Sequence, residues 1–510
     1  MIKSCSKTVD VLAGATVIAL GLRVSYLFVR YILGSTGTQR FHVESWALIF
    51  VAIGLLVRVA RSRLPEQRRT KTVATSPWVW LVFCGLAVAL YRPALSVGFL
   101  SDDFVLVTYA ARWSIGPVTP SLFRPLPLLL WALLLHAGAG APTLHLLNVV
   151  LHGTNAYLTS LVAQRWVRDR KWSVLAGLLM LSAPLAPEAV VWCSGVFDLL
   201  ATTLILTCVL IARRYEDHPA VATRIQFVIV GIGALASKET AAIAAVLVLV
   251  DAWARDAISR KLVTDTAILV FIAGIFSLVR LVSAFGLTTP PFSKYVLQRA
   301  VFGSFGTLAV PWHVDVTHRL PWLPILNVVV VVYLLTLFFL RSGSKRRIGL
   351  AIAAAAWIVL PLIPIWSVFF VAPDLQQSRY LYLSAVGWAA LVVVIASDAG
   401  GRSCLKPSSY AAVVGLIVIT ACGTVLHLQP WKEAARLRDM VEASAVGLQT
   451  SDCPALILSN LPDSVRGAYV FRNGGAEAFA RDLHLNTVLG DDAGRCAFRW
   501  SDTRLSFVQR

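Results

Sequence analysis

The chain has 510 residues, of which 57% are hydrophobic and 14% charged, and its mean hydropathy is +0.72. This composition excludes an ordinary soluble globular protein and predicts an integral membrane protein. The net charge of +19 comes from short basic clusters between apolar runs, which argues against a nucleic-acid-binding face.

Apolar runs near the ~20 residues that a helix needs to cross a bilayer recur along the chain. We therefore expect an all-α polytopic membrane protein with about thirteen transmembrane helices. The first run is interpreted as a retained span, because no clear cleavage site follows it. The predicted spans are 9–32, 44–60, 77–97, 143–164, 172–191, 196–212, 222–236, 239–254, 262–284, 321–340, 349–370, 380–397 and 409–427.

Basic residues occupy every second connection, and cytoplasmic loops collect Lys and Arg. This alternation predicts a cytoplasmic N-terminus, provided that the apolar stretch 124–138 does not span. Because that stretch is short, we interpret it as an interfacial or re-entrant helix on the outer side. Outer loops 98–142 and 285–320 would then lie on the extracytoplasmic face.

The composition changes near residue 428, where short apolar runs are broken by Pro, Asn and Gly. That pattern predicts a small extracytoplasmic α/β domain over 428–510. It follows a transmembrane module over 77–427 and a first unit, 1–76, of two helices and a basic cytoplasmic loop. Cys453 and Cys496 are the plausible disulfide pair, and the pattern leaves their pairing open.

The stretch "GFLSDDFVLV" places Asp102 and Asp103 between apolar flanks. One interpretation is a loop start or a helix N-cap, where Asp is favoured. The other is a site at the membrane surface, since the loop continues through aromatic residues to Arg124. Neighbouring helical side chains point about 100° apart, so the two acids would not share one task. One could contact a reacting group while the other binds a metal, a cation or a backbone donor.

In "LHLLNVVLHGTNAYL", polar residues at positions 145, 148, 152 and 155 share one helix stripe. Such side chains should face protein or a water-filled cleft rather than lipid. Hydrogen bonding between helices is the ordinary interpretation. A zinc site would need a third ligand and an open cavity.

Further charged residues fall at the predicted outer ends of spans. Glu188 and Asp198 could belong to a site or could cap their helices. Lys238 and Glu239 could belong to a site or could simply neutralise each other's charge. Arg379, followed by tyrosines, suits a lipid phosphate through bidentate hydrogen bonds, with snorkelling to headgroups as the alternative.

Taken in order, these stretches resemble the GT-C superfamily of membrane glycosyltransferases, in its TMTC-type and bacterial O-mannosyltransferase-like branch. The resemblance rests on the Asp-Asp loop, "FRPLPLLL", "LHLLNVVLHGTN", "PEAVVWCSGVFDLLA", "SKETAAI" and "SRYLYLSAVG". It covers about 98–255 and 376–392, and "LPDSVRGAYVFRNG" is similar to a segment of bacterial relatives. This chain has Ala183 and Val196 where the family commonly has His and Arg.

The resemblance implies a GT-C-like fold and sugar transfer from a polyprenyl-phosphate donor to an acceptor hydroxyl on a protein, lipid or glycan. Asp102 and Asp103 would be catalytic, with one Asp as general base in an inverting reaction. Residues implied to bind substrate are Arg124, His145, Asn148, His152, Glu188, Asp198, Lys238, Glu239, Arg379 and Tyr382.

The remaining expectations concern cofactors, partners and location. No metal-binding residues are assigned, although Mg²⁺ or Mn²⁺ at Asp102 and Asp103 stays an alternative. The expected partners are the lipid-linked sugar, the acceptor and membrane lipids, with no nucleic acid, in a bacterial inner (plasma) membrane. The competing functions are a transporter or lipid flippase and a non-catalytic membrane scaffold of the same fold.

Overall fold

The computed structural model describes residues 77–116, 123–217, 220–283, 294–340, 345–365, 369–397, 406–448, 455–472, 475–482, 486–489 and 496–509. The predicted spans 9–32 and 44–60, and with them the predicted unit 1–76, lie outside these residues. Cys496 is disulfide-bonded, whereas its predicted partner Cys453 lies outside the described residues.

Most of the described chain is helical. The α-helices are α1 Pro77–Tyr91, α2 Asp102–Ala111, α3 Pro125–His136, α4 Ala141–Val167, α5 Arg170–Leu181, α6 Pro187–Val191, α7 Val196–Asp217, α8 Val221–Ser237, α9 Ala244–Ala254, α10 Arg260–Ser283, α11 Lys294–Ala309, α12 Val314–Arg319, α13 Trp322–Leu340, α14 Lys345–Val359, α15 Tyr382–Ser397, α16 Lys406–His427, α17 Gln429–Leu448 and α18 Gly475–Asp482. Short 3₁₀ turns are Arg92–Ser96, Cys193–Gly195, Glu239–Ile243, Leu360–Ile365 and Ser378–Leu381.

Within the described residues, six helical segments are long and apolar enough to cross a membrane. Together with the composition, they make this an integral membrane protein. The predicted count of about thirteen spans is not confirmed. One boundary is also wrong: the predicted span 172–191 is two helices, since α5 ends at Leu181 and α6 begins at Pro187. Pro184 and Pro187 lack the N–H donors that a continuous helix would need.

The long helix α4 is the centre of the bundle and packs against α1, α5, α7 and α15. The approach to α1 is close: a Cβ added at Gly153 would lie 2.8 Å from the Cα of Cys84. Small residues allow membrane helices to pack at this distance. Helix α4 therefore fixes the position of the helices that carry the polar residues.

Helix α3 packs at one end of the bundle. Its Leu128, Trp131 and Ala132 are buried with Leu144 at the start of α4 and Phe197 at the start of α7. These contacts put α3 beside the first turns of its neighbours and agree with the prediction that 124–138 does not span. We call this end the site end.

The opposite end, which we call the basic end, collects arginines from clusters that the sequence separates widely. Arg213 and Arg255 both bind Asp251, through bonds of 2.5 and 2.9 Å, and Arg346 donates to the carbonyl of Trp166. The Trp166 indole also donates to Asp251, at 2.8 Å. Clusters that alternate along the sequence thus meet at one end of the bundle.

The C-terminal part begins with α17, which follows α16 with only Leu428 between them. Beyond α17, a mixed four-stranded sheet has the order β4-β1-β5-β6, in which β1 pairs in parallel with β4 and β5, and β6 is antiparallel. A separate two-stranded hairpin pairs β2 with β3. The strands are β1 Ala455–Ser459, β2 Ser464–Val465, β3 Ala468–Tyr469, β4 Asn486–Leu489, β5 Ala497–Ser501 and β6 Ser506–Gln509.

Replacing Asp251 with Ala should lower the free energy of unfolding in detergent by about 3–5 kcal/mol, because it leaves the buried Arg213 without its carboxylate. The matched control is Asp217→Ala, which breaks the half-buried pair with Arg165 and should cost under about 1 kcal/mol. Equal losses in a denaturant titration of the two purified variants would contradict this ranking.

Candidate functional site

We call residues 97–103 the Asp loop. Side chains from three other elements bind its backbone carbonyls: Arg438 donates to two of them, and His145 and Trp192 to one each, over 3.0–3.3 Å. Because buried carbonyls need partners, these side chains define the path of the loop. The conformation of the Asp loop is therefore fixed by contacts with other parts of the chain.

Ser101 has a positive φ of 54°, a conformation that costs a non-glycine residue about 1–3 kcal/mol. It is fully buried and anchored to the C-terminal segment, since its N–H donates to Val470 O (2.8 Å) and its hydroxyl to Arg472 O (3.0 Å). The hydroxyl also lies 3.1 Å from Asp102 Oδ1. Residues 470–472 thus hold the strained turn that presents Asp102.

The two acids occupy different environments. Asp103 is fully buried, and its carboxylate accepts bonds from Leu100 N–H (3.0 Å) and from both N–H (2.8 Å) and Oγ (2.5 Å) of Ser194. Burial raises the pKa of Asp103 to about 7, although these three donors act in the opposite direction. Asp102 is half-buried and begins α2. Asp103 therefore holds the loop, while Asp102 keeps part of its surface exposed.

Both carboxylate oxygens of the buried Asp103 accept N–H or O–H donors. Within the described part of the chain, no group of three His, Cys, Asp or Glu residues could hold a metal.

Three ion pairs lie near the Asp loop, and we call them the charge row. The pairs are neighbours, since the Tyr380 ring contacts both Lys238 and Arg379, and Glu239, the partner of Arg124, follows Lys238 in the chain. Lys238 and Glu239 do not balance one another, because each pairs with a residue from another element. The pairs are Arg379 with Glu188 (2.5 Å), Arg124 with Glu239 (2.7 Å) and Lys238 with Asp198.

Arg379 sits among aromatic rings. Its guanidinium carbon lies 4.5 Å from the ring centre of Trp192, 5.2 Å from Tyr380 and 5.8 Å from Tyr469. Nη1 donates to Glu188 and, at 3.4 Å, to the Tyr469 hydroxyl. Trp192 joins this cage to the Asp loop, because its indole N–H also donates to Leu100 O.

Tyr380 connects two members of the charge row. The Lys238 ammonium lies 5.4 Å from its ring centre, so the ring contacts both Lys238 and Arg379. Lys238 is almost fully buried, whereas the Arg379 side chain keeps 17% of its surface. Arg379 is thus the more accessible of the two cations.

The polar stripe on α4, at positions 145, 148, 152 and 155, is buried, and its side chains form hydrogen bonds to neighbouring segments. Asn148 donates to Trp192 O at 2.9 Å, and His152 contacts the Tyr382 hydroxyl at 2.7 Å, with Leu181 O at 3.0 Å on the other ring nitrogen. Asn155 also donates to Tyr382, at 3.2 Å. These contacts match the interhelical bonding that the sequence left open, and they put His152 and Tyr382 inside the bundle.

The sequence did not single out several residues that build the site. Trp192 and Tyr469 form the Arg379 cage, Ser194 holds Asp103, and Arg438 supports the Asp loop. The quoted motif "LPDSVRGAYVFRNG" contained Tyr469 and residues 470–472, but no local pattern indicated what they contact. Their partners lie between 90 and 371 positions away along the chain.

Replacing Gly475 with Ala should loosen the Asp loop, because the new Cβ would lie 2.5 Å from Ser101 O, a backbone atom that cannot move cheaply. We expect about 1–3 kcal/mol of destabilisation and faster amide exchange over residues 98–103. Gly447→Ala is the control, since its Cβ meets nothing within 4 Å. Unchanged exchange in the Gly475 variant would contradict this docking.

No protein-family model and no curated protein matches the chain. Two solved structures are similar to it at low identity. ArnT from Cupriavidus metallidurans, bound to undecaprenyl phosphate, is 15% identical with a TM-score of 0.38, over 85% of this chain and 94% of that one. Arabinosyltransferase EmbB from Mycobacterium smegmatis is 14% identical with a TM-score of 0.31, over 75% of this chain and 44% of that one. Likeness at this level assigns neither a fold nor an activity.

Proposed function

We propose that this protein is a membrane glycosyltransferase of the GT-C type. It would transfer a sugar from a polyprenyl-phosphate donor to an acceptor hydroxyl on the extracytoplasmic face of a bacterial inner membrane. The observation that carries the proposal is the junction at Trp192, which joins the loop bearing Asp102 to the cage around Arg379. The order of the sequence motifs supports the same activity.

Arg379 is suited to the donor phosphate. Glu188 and Tyr469 both use its Nη1, and no acceptor among the described residues is bonded to Nε or Nη2. The Nε and Nη2 edge of the planar guanidinium could therefore bind two phosphate oxygens, next to the aromatic rings of the cage. Lys238, across the Tyr380 ring, is a second cation beside the leaving phosphate, which gains one more negative charge as its bond to the sugar breaks.

Asp102 is suited to act on the acceptor. Its carboxylate would take the proton of the acceptor hydroxyl as that oxygen forms a bond to the anomeric carbon. The bond from the anomeric carbon to the phosphate oxygen breaks, and its electron pair leaves with polyprenyl phosphate. One displacement inverts the anomeric centre, and a positioned base contributes about 10²- to 10⁴-fold. Asp103 holds the Asp loop during this step.

Two other functions are tested by the same measurement. A transporter or lipid flippase would carry charged residues near the middle of the membrane. The ion pairs of the charge row instead lie at the site end, beside the first turns of α7 and α9. A non-catalytic scaffold would share the helices and form no product.

The first test is transfer of radiolabelled sugar by full-length protein in proteoliposomes, with undecaprenyl-phosphate mannose followed by other hexose and pentose donors. Asp102→Asn should lower the rate about 10²- to 10⁴-fold with undecaprenyl phosphate binding unchanged, because the base is lost and the phosphate site is kept. Asp463→Asn, an exposed acid of the C-terminal part, is the control. Full transfer by Asp102→Asn would remove Asp102 as the base. Absence of any product from the wild type would refute the activity.

The second test is binding of undecaprenyl phosphate alone. Arg379→Lys keeps the charge but loses the planar fork, so the dissociation constant should rise about 10- to 100-fold. Arg472→Lys is the matched control, since Arg472 also stacks on Tyr469, at 5.5 Å, and binds Gln376 instead of Glu188. Equal affinities of Arg379→Lys and the wild type would exclude Arg379 as a phosphate ligand.

A further inference from the structure

Arg472 is a half-buried cation whose partner is a neutral amide. Its Nη1 donates to the Gln376 side-chain oxygen at 2.7 Å, and its guanidinium carbon lies 5.5 Å from the ring centre of Tyr469. Among the described residues, no carboxylate lies within ion-pair distance of Arg472, and nothing accepts from its Nε or Nη2. The protein therefore leaves this positive charge unbalanced.

The cations described above at the site are balanced by carboxylates. Each cation of the charge row has its own partner, and Arg438, which supports the Asp loop, contacts Asp439. A carboxylate partner weakens the attraction of a cation for a bound anion, because the two charges largely cancel at a distance. Arg472, with no such partner in the described part of the chain, keeps its full charge for a ligand.

Hydrogen bonds fix the position of Arg472. Its carbonyl accepts from the Ser101 hydroxyl at 3.0 Å, and its side chain is bonded to Gln376. Gln376 is held in turn, since its N–H donates to Asp374 Oδ1 (3.2 Å) and its carbonyl accepts from Ala372 N–H (3.1 Å). A side chain that is already ordered loses little conformational entropy when a ligand binds to it.

Arg472 contacts neighbours of both Asp102 and Arg379. The Ser101 hydroxyl that donates to Arg472 O also lies 3.1 Å from Asp102 Oδ1. The Tyr469 ring that Arg472 contacts lies 5.8 Å from the Arg379 guanidinium carbon. An acceptor whose hydroxyl reaches Asp102, while the donor phosphate is bound at Arg379, would therefore have Arg472 beside it.

The free edge of the Arg472 guanidinium is suited to an oxyanion. Its Nε–H and Nη2–H point in the same direction and match two oxygens of a phosphate or a carboxylate. A cation would be repelled. A neutral hydroxyl gains one hydrogen bond without the charge-assisted part of the interaction.

We propose that Arg472 binds a phosphate or carboxylate group of the acceptor, so that the acceptor is an acidic molecule. This inference rests on the proposed function, because it takes Asp102 as the residue that acts on the acceptor hydroxyl and Arg379 as the ligand of the donor phosphate. The two arginines then bind the two substrates separately, and Arg472 selects the acceptor by its charge.

The experiment is saturation-transfer NMR on full-length protein in phosphatidylcholine nanodiscs that are saturated with undecaprenyl phosphate, which fills the donor site. The probes are glycerol 3-phosphate, glycerate and glycerol, which carry hydroxyl groups with a phosphate, with a carboxylate and with neither. At least one anionic probe should bind the wild type about tenfold or more tightly than glycerol, because it adds a charge-assisted bidentate contact. The tighter anionic probe identifies the preferred group.

Two variants remove the unbalanced charge in different ways. Arg472→Gln deletes the cation, whereas Gln376→Glu supplies the missing carboxylate beside an intact arginine. Each should abolish the preference for anions and leave the affinity for undecaprenyl phosphate unchanged. The matched controls are Arg504→Gln and Gln429→Glu, which make the same charge changes at exposed positions and should keep the preference.

Addition of phosphatidylglycerol to the nanodiscs distinguishes two sources of such an anion. Displacement of the anionic probe assigns the group at Arg472 to a lipid headgroup. Retention of the probe assigns the group to a water-soluble acceptor. Both results support an anion site at Arg472.

The thermal unfolding midpoint of each variant reports that the fold is intact. The anion site is overturned if neither anionic probe binds the wild type more tightly than glycerol, or if Arg472→Gln or Gln376→Glu keeps the preference. It is also overturned if a folded Arg472→Gln protein loses undecaprenyl phosphate binding, since the two anions would then share one site. A preference that depends on Arg472, without transfer from any donor, would refute the proposed function and leave the anion site standing.

Discussion

The bonds between the buried Asp103 carboxylate and Ser194 are the constraint on which the site depends. They fix the Asp loop to the short turn before α7, and that turn follows directly after Trp192. Trp192 in turn contacts both Leu100 and Arg379, so one carboxylate sets the distance between the acid and the cation cage. A buried carboxylate that accepts three donors is costly to disturb, which suits it to hold the neighbouring Asp102 in place.

Ion pairing gives the site end its chemical character. Each cation of the charge row has its own carboxylate, so the row is formally neutral and can be buried in an apolar bundle. The Tyr380 ring contacts both Arg379 and Lys238 and restricts both side chains. A phosphate anion would therefore meet cations that are already oriented, and little rearrangement would accompany binding.

The sequence predicted features whose signals are local. The lengths of the apolar runs predicted most of the helices, and the alternation of basic clusters predicted that Arg213 and Arg346 lie at one end. The short stretch 124–138 forms the helix Pro125–His136, and its location outside the membrane core stays a prediction. The sequence analysis missed the break between α5 and α6, because it relied on the apolar composition of 172–191 and gave too little weight to Pro184 and Pro187. It also missed Trp192 and Tyr469. Tyr469 contacts Glu188, which lies 281 positions away, and a contact at that separation produces no periodic pattern in the sequence.

The anchoring of Ser101 by Arg472 has a consequence for biosynthesis. The two residues are 371 positions apart, and chains are made at about 5–20 residues per second, so the Asp loop waits roughly 20–75 seconds for its support. Helices inserted early would meanwhile carry Asp102 without the backbone that holds its strained neighbour. The helices that flank the Asp loop are thus made well before residues 470–472, and the conformation of Ser101 gains its support only when that late segment docks.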